Sequence, residues 1–301
     1  MDNPKKHKKV LITGCSSGFG LLTAVGAAKA GHDCIATMRN LDKAGPLTSA
    51  LSRAKTTATI DRLDVTDPQM IRQIAEKYAP IDILINNAGI LIMGSFLDLT
   101  EDEVKKIFDT NYFGVVNLTK AVIPQMIEHK QGMIINVASL AGLVGHMFNS
   151  AYAATKHALI GFSRSIRLEL KSFNIKVVSV EPGYHKTKII GANANLSENF
   201  YNRQSPMFEQ NQGFLRLMFD EIIPRAGQAT EVAEKIVQIM AMNKPKPHYV
   251  IGKDAKYATT AIKLGLGSLL EKKVSQKLEI ATKRQEKRAE RKRKGRKKRN
   301  V

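Results

Sequence analysis

The fold of this chain is decided by the stretch VLITGCSSGFG at residues 10–20. Its first three residues predict a short buried strand, and a helical pattern follows directly after the last glycine. The glycines permit a tight turn and a close approach of the backbone to a bound group. The N-terminus of the helix then offers N–H donors and a positive dipole end to an anion. A strand, a glycine-rich turn and a helix in this order predict a site for the pyrophosphate of a dinucleotide.

Six further apolar runs alternate with helical patterns, at residues 34–37, 58–63, 81–85, 133–137, 176–180 and 249–251. Most are nearly continuous Val, Ile and Leu, which is typical of strands buried on both faces of a parallel sheet. The intervals are long enough for right-handed crossover helices. We therefore expect an α/β fold: a single doubly wound Rossmann domain with a parallel sheet, followed by a helical C-terminal extension and a basic tail.

One helix has a clear beginning and a doubtful end. Thr100 and Glu103 have the spacing of a capping box, so a helix should start after Thr100. Pro124 should kink or end that helix before the strand at residues 133–137.

The composition divides the chain into unequal parts. The net charge is +20, and residues 283–301 alone hold twelve Lys or Arg against two Glu. We expect a basic arm at residues 1–8, the Rossmann domain at 9–255 with a substrate lid at 185–226, a helical extension at 256–281 and a basic tail at 282–301. The tail has no apolar face to bury, so it should be disordered or helical only in part.

The end of the second strand indicates which dinucleotide is bound. An NAD site places a carboxylate there to accept the ribose hydroxyls, whereas this chain has Met38 followed by Arg39. A guanidinium suits a 2′-phosphate through charge-assisted hydrogen bonds. The sequence therefore predicts NADP(H) as the cofactor.

Tyr152 and Lys156 are four residues apart on a predicted helix and so share one face. A free phenol, with a pKa near 10, is a poor base at neutral pH. A neighbouring ammonium and a positive nicotinamide both favour the phenolate, so Tyr152 can take a proton from an alcohol or give one to a carbonyl. Ser139, at the end of a strand, can hold the substrate oxygen.

The motifs together resemble the short-chain dehydrogenase/reductase family over about residues 9–251. They are the turn at residues 13–20, the Asn-Asn-Ala-Gly run at 86–89, Asn111, Ser139, Tyr152 with Lys156, and Pro182 with Gly183. The resemblance implies four catalytic residues, with Asn111 placing a proton-relay water: Asn111, Ser139, Tyr152 and Lys156. It also implies cofactor contacts that run along the whole motif set: Gly14, Ser16, Ser17, Gly18, Phe19, Gly20, Arg39, Asp64, Val65, Asn87, Ala88, Gly89, Tyr152, Lys156, Pro182, Gly183 and Thr187.

The substrate is less sharply indicated. Residues 36–39 and 249–256 are similar to the branch that includes retinol dehydrogenases and 17β-hydroxysteroid dehydrogenases. The resemblance implies an alcohol, ketone or aldehyde on an apolar steroid-, retinoid- or lipid-like skeleton, and a homodimer or homotetramer. A lid rich in Phe and Met supports an apolar pocket, although the same side chains would also serve to pack the lid. The alternative enzyme is a 3-oxoacyl-carrier-protein reductase.

The remaining expectations concern location and further partners. Two cysteines form neither a disulfide framework nor a metal-ligand spacing, so we expect a reducing, cytoplasmic compartment and no metal. No stretch has the length of a signal-peptide core or a membrane span. The basic tail is suited to an anionic membrane surface at the periphery, to nucleic-acid phosphates, or to no partner at all.

Overall fold

The computed structural model describes residues 7–187 and 195–297, with side chains described to residue 287. A seven-stranded parallel sheet forms its centre, in the order β3-β2-β1-β4-β6-β7-β11. Its strands are β1 Lys9–Ile12, β2 Asp33–Met38, β3 Thr59–Arg62, β4 Ile83–Asn86, β6 Gly132–Val137, β7 Ile175–Pro182 and β11 His248–Ile251. The doubly wound Rossmann fold and each of the seven predicted strands are thereby confirmed.

Short two-residue strands complete the sheet structure outside the centre. They pair as β5 Ile92–Met93 with β9 Asn195–Leu196, and β8 His185–Lys186 with β10 Gly227–Gln228. The helices are α1 Gly18–Lys29, α2 Gly45–Arg53, α3 Pro68–Lys77, α4 Glu101–Phe108, α5 Gly114–Glu128, α6 Ser150–Glu169, α7 Phe208–Leu217, α8 Ala229–Met240, α9 Lys253–Lys263 and α10 Gly267–Lys297.

Strand β1 lies at the middle of the sheet and is buried on both faces. Val10 and Ile12 pack into a core with α1 and α8, while Leu11 packs into a second core on the opposite face. The strand order reverses between β1 and β4, which are hydrogen-bonded neighbours along Val10 to Ile12 of β1. Ligands of open α/β sheets bind at such a reversal, beyond the carboxyl ends of the strands.

The helix around Pro124 differs from the sequence expectation. The capping box of Thr100 and Glu103 is present and starts α4, as predicted. A π-helical turn at Asp109–Phe113 joins α4 to α5, and α5 continues through Pro124 as far as Glu128. Proline removes one N–H from the helix ladder, whose partner carbonyl belongs to the exposed Lys120 and is open to water. Pro124 therefore does not end the helix.

The C-terminal helix α10 packs along the lid helix α7. At their contact, a Cβ added to Gly213 would lie 2.8 Å from Thr282 Cα, so the two backbones approach as closely as glycine allows. The helix is continuous across residue 282, where the charge pattern places the start of the tail. Residues 1–6, 188–194 and 298–301 of the predicted arm, lid and tail lie outside the described residues. Within the described part, no helix is long and apolar enough to span a membrane.

Candidate active site

The turn between β1 and α1 has the backbone that its glycines predict. Gly14 and Gly18 have φ angles of +74° and +57°, which disfavour side chains with a Cβ. A Cβ on Gly20 would collide with the Asn87 side chain and with the carbonyl of Gly14. Ser17 occupies the N-cap position of α1 without a capping hydrogen bond from its side chain. The first turn of α1 therefore presents its N-terminal amides at the switch point of the sheet.

Thr13 and Asn87 hold this turn against the end of β4. Thr13 Oγ1 accepts hydrogen bonds from the amides of Asn87, at 3.0 Å, and Ala88, at 2.9 Å. Asn87 Nδ2 donates to the Thr13 carbonyl at 2.8 Å. These bonds bring the predicted residues Ala88 and Gly89 beside Gly14, so two distant motifs form one wall.

A cleft of about 480 Å³ runs along this wall. Arg39 lies at the cleft beyond the end of β2, and Lys43 joins it there. Asp64 and Val65 line the cleft after β3, where Asp64 Oδ1 accepts from the Thr66 amide at 3.0 Å. Lys43 is a cation that sequence patterns do not reveal, because it lies in the 3₁₀ helix Leu41–Lys43 after the strand rather than at the strand end.

The residues at this cleft fit a dinucleotide. The turn leaves no room for a Cβ at Gly14 or Gly20, where a pyrophosphate needs backbone contact, and the cations of Arg39 and Lys43 line the same cleft. Thr187 also lines the cleft, beside the glycine turn. A Cβ added to Gly18 would lie 3.6 Å from Thr187 Cβ, in ordinary van der Waals contact.

Tyr152 and Lys156 lie on the first turns of α6, on the face that covers the sheet. Lys156 Nζ donates to the Val137 carbonyl at 2.9 Å and lies 5.6 Å from the centroid of the Tyr152 ring. Burial lowers the pKa of Lys156 to about 8. Burial raises the pKa of Tyr152, and a hydrogen bond with Ser139 acts in the opposite direction. The protein alone thus keeps the phenol protonated.

Ser139 is fixed by the short helix that follows it. It occupies the N-cap position of the 3₁₀ helix Leu140–Gly142, where its Oγ accepts from the Ala141 amide at 3.1 Å. The hydroxyl hydrogen remains to be donated elsewhere. Ser139 and Tyr152 both line a second cavity, so a ligand oxygen placed there can meet both hydroxyls.

Asn111 lies in the π-helical turn between α4 and α5, a feature common at functional sites. Its Oδ1 accepts from the Ile90 amide at 2.8 Å, and its Nδ2 donates to the Ile90 carbonyl at 2.9 Å. The side chain therefore fixes the end of β4, next to the predicted Gly89. Nδ2 also donates to Thr155 Oγ1 at 3.3 Å, so both amide hydrogens are used and a water held by this side chain could only donate to Oδ1.

The second cavity has a volume of about 90 Å³ and meets the cleft at Tyr152. Pro182 and Gly183 line it at the end of β7, and Asp254 holds this loop by accepting from the Tyr184 amide at 2.7 Å. Asp254 is another residue that sequence reasoning missed, because it lies seventy residues further along the chain. The structure thus brings the predicted catalytic and cofactor residues to one cleft with two compartments, except Asn111 and Gly20, which lie behind its walls and line neither compartment.

An apolar cluster that includes lid side chains packs beside the second cavity. Phe214 of α7 stacks on Phe148 at a centroid distance of 4.7 Å. Met218, which directly follows α7, packs into the same cluster, as does Leu278 of α10. Tyr152 also belongs to this cluster. Since Phe200 and Phe214 are fully buried, at least part of the aromatic lid serves packing.

Comparison with known proteins agrees with this geometry. A sequence model described as short chain dehydrogenase matches residues 8–196. The chain is 38% identical to the uncharacterized oxidoreductase YusZ of Bacillus subtilis over 83% of this chain and 91% of that one. It is 36% identical to retinol dehydrogenase 8 of Bos taurus over 79% of each chain. The crystal structure of a short-chain dehydrogenase from Streptomyces avermitilis has a TM-score of 0.74 at 33% identity, covering 90% of this chain and 98% of that one.

These matches define an oxidoreductase class with a nucleotide-binding Rossmann fold. The chain belongs to the short-chain dehydrogenase family and has retinol dehydrogenase-like relatives.

Proposed function

We propose that the protein is an NADP(H)-dependent oxidoreductase that interconverts an alcohol and a ketone or aldehyde, with Tyr152 as the acid/base. The observation that carries this proposal is the position of Tyr152 where the cofactor cleft meets the second cavity. Ser139 and Lys156 lie beside it, so the groups needed for proton transfer surround the one point that both ligands can reach.

Each of the three side chains has a chemical role in this proposal. Ser139 holds the substrate oxygen through its hydroxyl hydrogen. Tyr152 gives its proton to that oxygen during reduction and recovers it during oxidation. Lys156, held by the Val137 carbonyl, places its charge beside the ring and favours the phenolate when a proton leaves. The bound dinucleotide supplies or accepts the hydride.

Two cations support NADP(H) over NAD(H). Arg39 and Lys43 both line the adenosine end of the cleft, and Met38 takes the place at which a ribose-binding carboxylate would stand. The 2′-phosphate would therefore meet two positive charges.

An apolar steroid-, retinoid- or lipid-like skeleton remains the substrate class that we propose. The name of the bovine relative refers to retinol, and Leu91 of the cavity wall packs in one apolar cluster with Phe148 and Phe214. A cavity of about 90 Å³ holds only the reacting end of such a molecule. The remainder would extend along the lid.

A substrate screen tests the proposal. Ketones and aldehydes on steroid, retinoid and aliphatic skeletons are supplied with NADPH, and consumption of NADPH is followed. We expect turnover of at least one apolar carbonyl compound. Selective turnover of a 3-oxoacyl thioester would favour the alternative reductase, and no NADPH consumption with any compound would overturn the proposal.

We also propose that the C-terminal helices bind an anionic membrane surface, from a cytoplasmic location. Large apolar side chains are exposed at the corner between α9 and α10: Tyr257, Ile262, Leu264, Leu266 and Leu269. Lys256 and Lys263 flank them, and the basic tail follows. Exposed apolar groups among lysines combine insertion with attraction to anionic lipids, whereas nucleic acid needs only the charge.

Sedimentation with vesicles containing phosphatidylserine separates these partners. We expect Leu264→Ser with Leu266→Ser to release the protein from vesicles while retaining it on RNA. Equal loss from both, or full retention on vesicles, would contradict the membrane proposal. Truncation after Lys287 tests the tail without disturbing Thr282, which is buried against α7. We expect normal turnover and weaker retention at low salt.

Self-association as a homodimer or homotetramer is a further proposal. Phe96, Leu97 and Leu168 are exposed by 76%, 65% and 67%, so contact with a second copy at these positions would remove apolar surface from water. Light scattering after size exclusion checks the mass. We expect Leu168→Glu to lower it, and a monomeric unaltered protein would contradict the proposal.

A further inference from the structure

A partly buried hydrogen-bonded chain of three side chains lines the second cavity, separate from the residues assigned to catalysis. Asn149 Nδ2 lies 3.0 Å from His146 Nδ1, and His146 Nε2 lies 2.6 Å from the Tyr184 hydroxyl oxygen. Asn149, His146 and Tyr184 line the same cavity as Tyr152 and Ser139. The chain therefore faces the place where the substrate reacts.

The direction of these hydrogen bonds follows from the amide of Asn149. An amide NH₂ group only donates, so His146 Nδ1 must accept. A neutral imidazole with an accepting Nδ1 carries its proton on Nε2. Burial lowers the pKa of His146, which keeps the ring neutral at pH 7. His146 Nε2–H then donates to the oxygen of Tyr184.

This direction leaves two unmatched groups for a ligand. Tyr184 accepts from His146, so its own hydroxyl hydrogen is available for donation. Burial raises the pKa of Tyr184, which retains that hydrogen. Asn149 Oδ1 is buried and has no hydrogen-bond partner among the described residues. A buried unmatched acceptor is costly unless a ligand or water satisfies it.

We propose that Tyr184 and Asn149, oriented by His146, bind a second oxygen of the substrate, a hydroxyl group close to the reacting carbonyl. A hydroxyl accepts from Tyr184 and donates towards Asn149 Oδ1, directly or through a bound water, so it supplies the partner that each group needs. The substrate class becomes a hydroxyketone in reduction and a diol in oxidation. This inference rests on the proposed oxidoreductase function and deepens it.

Matched substrates test the role of Tyr184. The kcat/KM for NADPH-dependent reduction is measured with cyclohexanone and with its isomers that carry a hydroxyl on ring carbon two, three or four. The unaltered protein should prefer one hydroxylated isomer. Tyr184→Phe should lower kcat/KM for that isomer about tenfold, because a site built for a hydroxyl discriminates strongly when its partner is lost. Its kcat/KM for cyclohexanone should fall much less, so the ratio of the two kcat/KM values is the quantity that tests the role.

The control is Tyr201→Phe, which removes a hydroxyl from an exposed tyrosine of the lid. It should leave every substrate ratio unchanged. If Tyr184→Phe lowers kcat/KM equally for cyclohexanone and all hydroxylated isomers, Tyr184 only supports the cavity wall and the proposal is wrong.

A measurement without substrate keeps the proposal testable when no cyclohexanone is reduced. Nitrogen-15 NMR of histidine-labelled protein with NADPH reports which ring nitrogen of His146 carries the proton, with His146→Gln providing the assignment. We expect the Nε2–H form. The Nδ1–H form would overturn the inference whatever the activity, whereas failure of the wider carbonyl screen would count against the proposed function.

Discussion

The cofactor side and the substrate side of the cleft are built in different ways. Most of the cofactor wall comes from short local motifs, with the turn at residues 14–20 joined to Asn87 by hydrogen bonds. The substrate wall comes from side chains that are far apart in sequence, such as His146, Tyr184 and Leu278. A local motif therefore specifies the first side, whereas only the folded chain specifies the second.

The largest expected effect is at the junction of the two sides. Tyr152→Phe removes the proton donor and leaves the cofactor wall intact. We expect kcat to fall roughly 10²- to 10⁴-fold, the usual contribution of a general acid, while the Kd for NADPH stays within experimental error. Single-turnover kinetics with fluorescence titration of NADPH check both values. A Phe variant with normal turnover would remove the acid/base assignment.

Lys156 belongs to both sides, so its removal should damage both. Lys156→Met should weaken NADPH binding and lower kcat, because it deletes the charge beside the phenol and the proposed contact to the ribose. An unchanged Kd for NADPH would show that Lys156 acts in proton transfer only and does not contact the cofactor.

The same variant gives a pH prediction for the cofactor-free protein. Lys156 has a folded-state pKa of about 8, against roughly 10.4 when unfolded. The folded protein thus binds fewer protons between these two values, and the free energy of unfolding rises with pH across that window. Denaturant unfolding should show this rise in the unaltered protein and a smaller one in Lys156→Met. Parallel curves would show that burial does not depress the pKa of Lys156.

Cofactor choice tests the cofactor side alone. Met38→Asp with Arg39→Ala should reverse the preference for NADPH over NADH, because the pair replaces a cation with a ribose-binding carboxylate. We expect a change in the ratio of kcat/KM values of roughly 10- to 100-fold. Lys43→Ala should produce a smaller change in the same direction. An unaltered protein that uses both dinucleotides equally would show that Arg39 does not contact a 2′-phosphate.

The smallest expected effect is on the free energy of unfolding, at the contact between the lid helix α7 and α10. Gly213→Ala places a methyl group against Thr282, so the lid helix and α10 must separate. We expect a loss of roughly 1–3 kcal/mol in the free energy of unfolding, with unchanged affinity for NADPH. Gly161→Ala is the matched control, because a Cβ there meets no atom within 4 Å. Equal free energies of unfolding for the two variants would show that α7 and α10 separate without loss of stability.

Sequence patterns predict the sheet well because its strands are buried on both faces. Leu11 and Ile83, for instance, stand in short apolar runs that have no other stable arrangement in an α/β fold. The patterns do not predict burial or site residues that depend on contacts between residues far apart in sequence. Thr282 is a polar residue at the edge of a charged run, yet it is buried because Gly213 admits its backbone. Lys43, Asp254 and His146 likewise join the site through contacts that local sequence does not encode.

The most direct measurement of the central claim follows a labelled hydride. NADPH with deuterium at nicotinamide C4, on the face that transfers, is supplied with an apolar ketone that the screen identifies, and the product is examined by mass spectrometry and NMR. The account predicts an alcohol with deuterium on the carbinol carbon from the unaltered protein and almost none from Tyr152→Phe. An alcohol without deuterium from the unaltered protein, or equal labelled product from both proteins, would contradict it.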